Sequence, residues 1–212
     1  MLELSIKSLL AYLVGALIGS LLVGRVRGVD IRTLGSGNAG GTNALRTQGP
    51  AFAAAVIAID FGKALLAVGV LPKLVLPMVG IAASVDREWL AVACAVAVVV
   101  GHVYPVWYEF RGGKGAATLI GAVAVLSPAA LLPVLGVWLV CVMLTGYVGL
   151  STILGAVTLP VWYAVMRPES TALVSFGVVM ALFVAFTHRS NIQRMWIGNE
   201  NRARRLWLLR PR

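Results

Sequence analysis

Long apolar runs recur from one end of the 212-residue chain to the other, and only short polar blocks separate them. In hydrocarbon no water is available to a backbone N–H or C=O, so such runs must satisfy their own hydrogen bonds as helices. A full crossing takes about 20 residues. On that measure helices are expected near 5–24, 51–71, 89–108, 116–126, 128–147, 151–166 and 171–187. The expected fold class is all-α: a polytopic integral membrane helical bundle with about seven transmembrane helices, some of them short. The run 116–126 is half a span, and Pro128 ends it because proline cannot continue the hydrogen-bond ladder. Pro72 and Pro77 interrupt the apolar stretch 71–83, which is expected to be a loop at the lipid surface. The first run lacks a small-residue cleavage site before Arg25 and reads as an uncleaved span. We expect one integral-membrane domain over 1–212.

Composition narrows the function. The chain is 59% hydrophobic and 12% charged, against about 25% charged in soluble domains. Its net charge of +10 sits in loops and in the C-terminal tail. Anionic lipid and the positive-inside rule account for that excess, so no nucleic-acid partner is expected and membrane lipid is. Arg25, Arg27, Arg32 and Arg46 in the first loop, and Arg189, Arg194, Arg202, Arg204, Arg205, Arg210 and Arg212 in the tail, mark cytoplasmic segments. The N-terminus is then outside, with the C-terminus and the polar blocks cytoplasmic. The eight acidic residues are scattered, so no metal and no cofactor is expected. Cys94 and Cys141 lie within apolar runs and read as buried structural thiols.

The remaining chemistry is concentrated in the polar blocks. Block 35–46 combines Gly35, Ser36, Gly37, Asn38, Gly40, Thr42, Asn43 and Arg46 just before a span. Glycine backbone, neutral donors and a guanidinium fork match a phosphate. Block 101–118 carries His102, Trp107, Tyr108, Arg111, Gly112, Gly113, Lys114 and Gly115, leading into a helix. This spacing is not that of a nucleotide P-loop, but glycines ahead of a helix N-terminus still suit an anion. His102 is either a structural donor to the loop or a substrate contact. Block 188–200 sets His188 and Asn191 on one helix face, with Glu200 beyond. Asp60 and Lys63 lie at i, i+3 within the second span and read as an ion pair supporting the site. Ser151 or Thr152 either adds a hydroxyl to that site or caps a helix.

With these blocks in order, the chain resembles the bacterial acyl-phosphate:glycerol-3-phosphate acyltransferase family. The blocks correspond to the patterns GSGNxGxTNxxR, GHxxPxxxxFxGGKGxAT and HRxNIxRxxxGxE. Gly41 stands where the family usually has Ala, and Ala64 follows Lys63 where Gly is common. The resemblance implies transfer of a fatty acyl group from acyl phosphate to the 1-hydroxyl of glycerol 3-phosphate, giving lysophosphatidic acid and phosphate. It implies the first step of phospholipid synthesis, in the bacterial inner membrane, supplied by an upstream acyl-phosphate-forming enzyme.

Acyl phosphate is already activated, so no protein nucleophile is required. Catalytic roles are expected for Lys114, Ser36 and His188, with Lys114 and Ser36 at the acyl-phosphate phosphate. Arg46, His188 and Asn191 are expected to hold glycerol 3-phosphate. His188 or the phosphate leaving group takes the hydroxyl proton. Gly37, Asn38, Gly40, Thr42, Asn43, Gly112, Gly113, His102 and Ser151 complete the expected substrate contacts, supported by Asp60, Lys63 and Glu200. A transporter of a phosphorylated solute is the alternative reading. Against it, the polar blocks lie at one membrane face and no inverted repeat is visible.

Overall fold

The computed structural model describes every residue except Met78, Ala83, Arg210, Pro211 and Arg212, and all regular structure among the described residues is helical. Two positions of the expected loop 71–83, and the tail residues Arg210 and Arg212, thus lie outside the described residues. Contacts divide the chain into two compact units, Met1–Leu126 and Ser127–Arg212.

The first unit contains α1 (Leu2–Gly15), α2 (Gly19–Arg27), α3 (Gly41–Gln48), α4 (Pro50–Gly69), α5 (Arg87–Val103) and α6 (Ala116–Leu126). Its helices pair through small residues. A Cβ on Gly15 would overlap the Val98 backbone, and one on Gly101 would overlap the Tyr12 carbonyl, so α1 and α5 meet almost backbone to backbone. Gly121 does the same for α6 against Phe61 of α4. Lipid tails are as apolar as leucine, so close approach and dispersion hold such helices together. The second unit contains α7 (Leu131–Thr145), α8 (Val148–Met166), α9 (Thr171–Thr187) and α10 (Arg189–Trp196). There α8 packs on both α7 and α9, and Gly177 lies against Pro160 of α8.

Helix therefore occupies all the expected apolar runs, but not every run is a full span. The stretches Leu2–Arg27, Pro50–Lys73, Arg87–Tyr108, Pro128–Thr145 and Val148–Met166 are long and apolar enough to cross a membrane. The α9 helix qualifies only together with α10, across a 53° bend. At 11 residues α6 rises about 16 Å, well short of a bilayer core of about 30 Å.

The first run is not the continuous helix expected over 5–24. It breaks between Gly15 and Gly19, where Ile18 adopts extended angles (φ −85°, ψ 116°). No proline marks the break. Groups from α4 stabilise it, as described below.

A second buried polar cluster lies at the start of α1. Glu3 pairs with Lys7 at 2.8 Å and with Arg87 at 2.7 Å, and accepts from the Ala82 amide. Lys7 also donates to the Pro72 carbonyl. This cluster ties both ends of the 71–85 connection to α1. In the second unit the tail is less free than its charge suggested. Arg202 stacks between the Tyr147 and Trp207 rings, and Trp207 donates to the Leu144 carbonyl at the end of α7.

Candidate active site

In the first polar block the chain forms a turn around the side chain of Asn43. Its Oδ1 accepts from the Ser36 amide at 3.0 Å. Its Nδ2 faces the carbonyls of Ile31, Leu34 and Asn38 at 3.2, 2.9 and 3.1 Å. Gly35 and Gly37 have φ of 56° and 71°, a region closed to most residues with a Cβ. Asn43, expected at the substrate, is thus buried and engaged with the backbone of its own loop, whereas Ser36, Gly37, Thr42 and Arg46 are exposed around it. Gly40 precedes α3, whose first amides have no acceptor inside the helix.

Ser20 and Asp30, which sequence reasoning did not single out, and Arg32, read there only as a cytoplasmic charge, hold this loop in place. Ser20 of α2 donates to the Ala39 carbonyl at 2.8 Å. Arg32 forks onto Asp30 and donates to the Tyr108 carbonyl, joining the first block to the second. The guanidinium beside Asp30 holds its carboxyl below the usual carboxylate range. Beneath the loop lies a small apolar core that includes Ile18, Ile31, Ala44 and Phe52.

The second block folds back on the end of α5. Gly112 and Gly113 donate to the carbonyls of Val103 and His102, at 3.2 and 3.1 Å, and so satisfy carbonyls that the helix end leaves open. A Cβ on Gly112 would overlap the His102 carbonyl, and one on Gly113 would overlap His102 Nε2. These glycines, expected as substrate contacts, instead spend their amides on the end of α5 and let the loop pack against His102, which the sequence reading did not foresee. Lys114 is half-buried, and Gly115 (φ 87°) turns the chain into α6. Just upstream, Glu109 and Phe110 both adopt left-handed angles, φ 57° and 58°. Adjacent non-glycine residues in that region store strain, a feature that gathers at functional sites.

His102 links this loop to the interior. Lys63 Nζ lies 3.0 Å from Asp60 Oδ1, 2.9 Å from His102 Nδ1 and 2.8 Å from the Leu17 carbonyl. Asp60 Oδ1 also lies 3.3 Å from His102 Nδ1, so the three side chains form one cluster, and the Nε2 edge of the ring packs on Gly113. Asp60 also accepts from the Gly19 amide at 3.0 Å. The Leu17 carbonyl and the Gly19 amide are among the backbone groups that the break in the first run frees.

In the second unit His188 caps the bend between α9 and α10, buried, with Nδ1 2.9 Å from the Val184 carbonyl. A carbonyl only accepts, so Nδ1 carries the proton and neutral His188 keeps its lone pair on Nε2. Glu200 accepts from Asn191 Nδ2 and from Arg194 Nε, each at 2.7 Å, which fixes the Asn191 amide. A Cβ on Gly149 would overlap the Asn191 side chain, so α8 and α10 meet there. Ser151 is buried and donates to the Tyr147 carbonyl at 2.8 Å, and Thr152 likewise to Val148. Among the described residues no three His, Cys, Asp or Glu side chains converge on a common point.

The site residues thus fall into two sets. Ser36, Gly37, Asn38, Gly40, Thr42, Asn43, Arg46, Asp60, Lys63, His102, Gly112, Gly113 and Lys114 belong to the first unit. Ser151, His188, Asn191 and Glu200 belong to the second.

Comparison with known proteins agrees with these motifs. The family model described as glycerol-3-phosphate acyltransferase matches residues 5–198 and so runs through both units. A glycerol-3-phosphate acyltransferase of Desulforamulus reducens is 41% identical over 191 residues, 90% of each chain. One from Synechococcus elongatus is 39% identical over 196 residues, 92% of each. Among solved structures, the glycerol 3-phosphate form of an integral membrane glycerol 3-phosphate acyltransferase superposes with TM-score 0.80 at 30% identity, covering 94% of both chains. Its lysophosphatidic acid form gives 0.79 at 28% identity, again over 94% of both chains.

Proposed function

The chain belongs to the glycerol-3-phosphate acyltransferase family, and from that premise we propose that its acyl donor is acyl phosphate. The 1-hydroxyl oxygen of sn-glycerol 3-phosphate attacks the acyl carbonyl carbon. The carbonyl–phosphate bond breaks, and the products are lysophosphatidic acid and inorganic phosphate. The observation that carries this reading is the Lys114 loop. It is glycine-lined, fixed on the end of α5, and opens directly into a helix N-terminus. Such a loop suits a phosphate that must be held while charge builds on it.

The Ser36 side chain and Lys114 are assigned to the acyl-phosphate phosphate, the Ser36 and Gly37 amides being engaged within the loop, and Lys114 is assigned also to the oxyanion of the transition state. Gly37, Asn38, Gly40 and Thr42 shape the same loop, which Asn43 organises from below. Arg46, His188 and Asn191 are assigned to glycerol 3-phosphate. His188 orients the attacking hydroxyl, and the departing phosphate takes the hydroxyl proton. The chemistry is then positioning and electrostatics. The enzyme acts in phospholipid synthesis at the cytoplasmic face of a bacterial inner membrane, N-terminus outside and C-terminus inside. An acyl-phosphate-forming enzyme supplies its donor.

The test is donor choice. Purified protein is given labelled glycerol 3-phosphate with acyl phosphate, acyl-CoA or acyl carrier protein. Product with acyl phosphate alone is expected. Product with acyl-CoA or the carrier but none with acyl phosphate would refute the donor assignment.

A further inference from the structure

An uninterrupted apolar helix over 5–24 would satisfy its own backbone and need no ionisable partner. This chain instead breaks that helix and places Asp60, Lys63 and His102, each buried, against the break. Buried ion pairs are often replaceable by apolar residues with no loss of stability, so stability alone does not account for the arrangement. Its hydrogen bonds lead towards two loops. On one side His102 receives the Gly113 amide on its carbonyl and packs its Nε2 edge on Gly113, the residue before Lys114. On the other, Gly19 is anchored to Asp60, and the next residue, Ser20, donates to Ala39 in the loop that carries Ser36.

We propose that His102, Lys63 and Ser20 are positioning residues that hold the Ser36 loop and the Lys114 loop in register on one rigid anchor, the broken first span. The fixed relation lets both loops meet one phosphate group. None of these residues touches substrate; each acts through a loop. The inference rests on the assignment of both loops to the acyl-phosphate phosphate.

The test compares KM and kcat for each substrate in wild type, His102→Ala, His102→Gln, Ser20→Ala and Ser20→Thr. Loss of one anchoring hydrogen bond is expected to raise the KM for acyl phosphate by about tenfold in His102→Ala and Ser20→Ala, with the KM for glycerol 3-phosphate within about twofold of wild type. His102→Gln keeps an acceptor for Lys63, and Ser20→Thr keeps the hydroxyl, so both recover much of the loss. A packing role alone lowers yield and unfolding temperature but leaves these constants unchanged in the molecules that fold. Should His102→Ala fail to fold, Ser20→Ala, at the other end of the path and nearly isosteric, decides. The proposal is overturned by an unchanged KM for acyl phosphate in Ser20→Ala, or by a rise confined to glycerol 3-phosphate. Wild type is run in the same assay. If it fails on acyl phosphate, the donor assignment fails; if it is active and the variants are unchanged, only the positioning network fails.

Discussion

Replacing Asn43 by alanine separates a residue that organises the site from one that touches substrate. Its amide meets one donor, the Ser36 amide, and three acceptors, the carbonyls of Ile31, Leu34 and Asn38. Nδ2 has two protons for those three carbonyls, so the set amounts to about three full hydrogen bonds, each worth about 1 kcal/mol net. Losing about 3 kcal/mol of loop order predicts a fall in kcat/KM of about 100-fold. Asn43→Asp retains an acceptor for Ser36 but turns a carboxylate towards three carbonyl oxygens, so its loss should be at least as large. The assay is steady-state release of phosphate by purified protein, with thermal unfolding as a check on folding. In a Ser36→Ala background the Asn43→Ala change should cost far less than it does alone, because both act through one loop. Full additivity, or an Asn43→Ala enzyme within about twofold of wild type, would refute this account of the loop.

Other perturbations reach different parts of the molecule. Glu200→Ala removes one hydrogen bond each from Asn191 and Arg194, and should raise the KM for glycerol 3-phosphate about tenfold. Glu200→Gln, which can still accept from Asn191, should do so less, and substrate titrations check the order. Arg87→Ala removes the fork from Glu3 and should lower the unfolding temperature while leaving both KM values unchanged. Asp30 has its carboxyl lowered by Arg32, so their pairing contributes above the ordinary carboxylate value of about 3.9 and is lost as pH falls through the depressed folded value. Unfolding temperatures of wild type and Asp30→Asn should therefore differ slightly at neutral pH, since the pair is partly exposed, and converge in acid.

Much of the architecture could be read directly. Helices Ala116–Leu126 and Thr171–Thr187 fall where the apolar runs lie, since Pro128 and the polar His188 block mark their ends. The break between Gly15 and Gly19 could not be read this way. Nothing local forces it, and the groups that stabilise it lie about forty residues away on α4. Glu3 and Lys7 carry no signal in the sequence, where two charges at the edge of an apolar run look like a solvated end, yet both are buried. The Ser36 and Lys114 loops were visible as clusters of glycine and polar residues. Their internal roles were not, because sequence spacing cannot tell whether Asn43 or Ser151 faces a ligand or its own backbone. In the sequence Arg202 is one more tail charge, whereas in the fold it stacks between Tyr147 and Trp207.

The central claim is that the Lys114 loop holds the phosphate of acyl phosphate through the transition state. The most direct test measures phosphate release and labelled lysophosphatidic acid together, in wild type and in folded Lys114→Ala. The account predicts one phosphate per acylated product in wild type and a fall in kcat/KM of about 100- to 1,000-fold in the variant. Near-wild-type turnover by Lys114→Ala, or acylated product without matching phosphate, would contradict it.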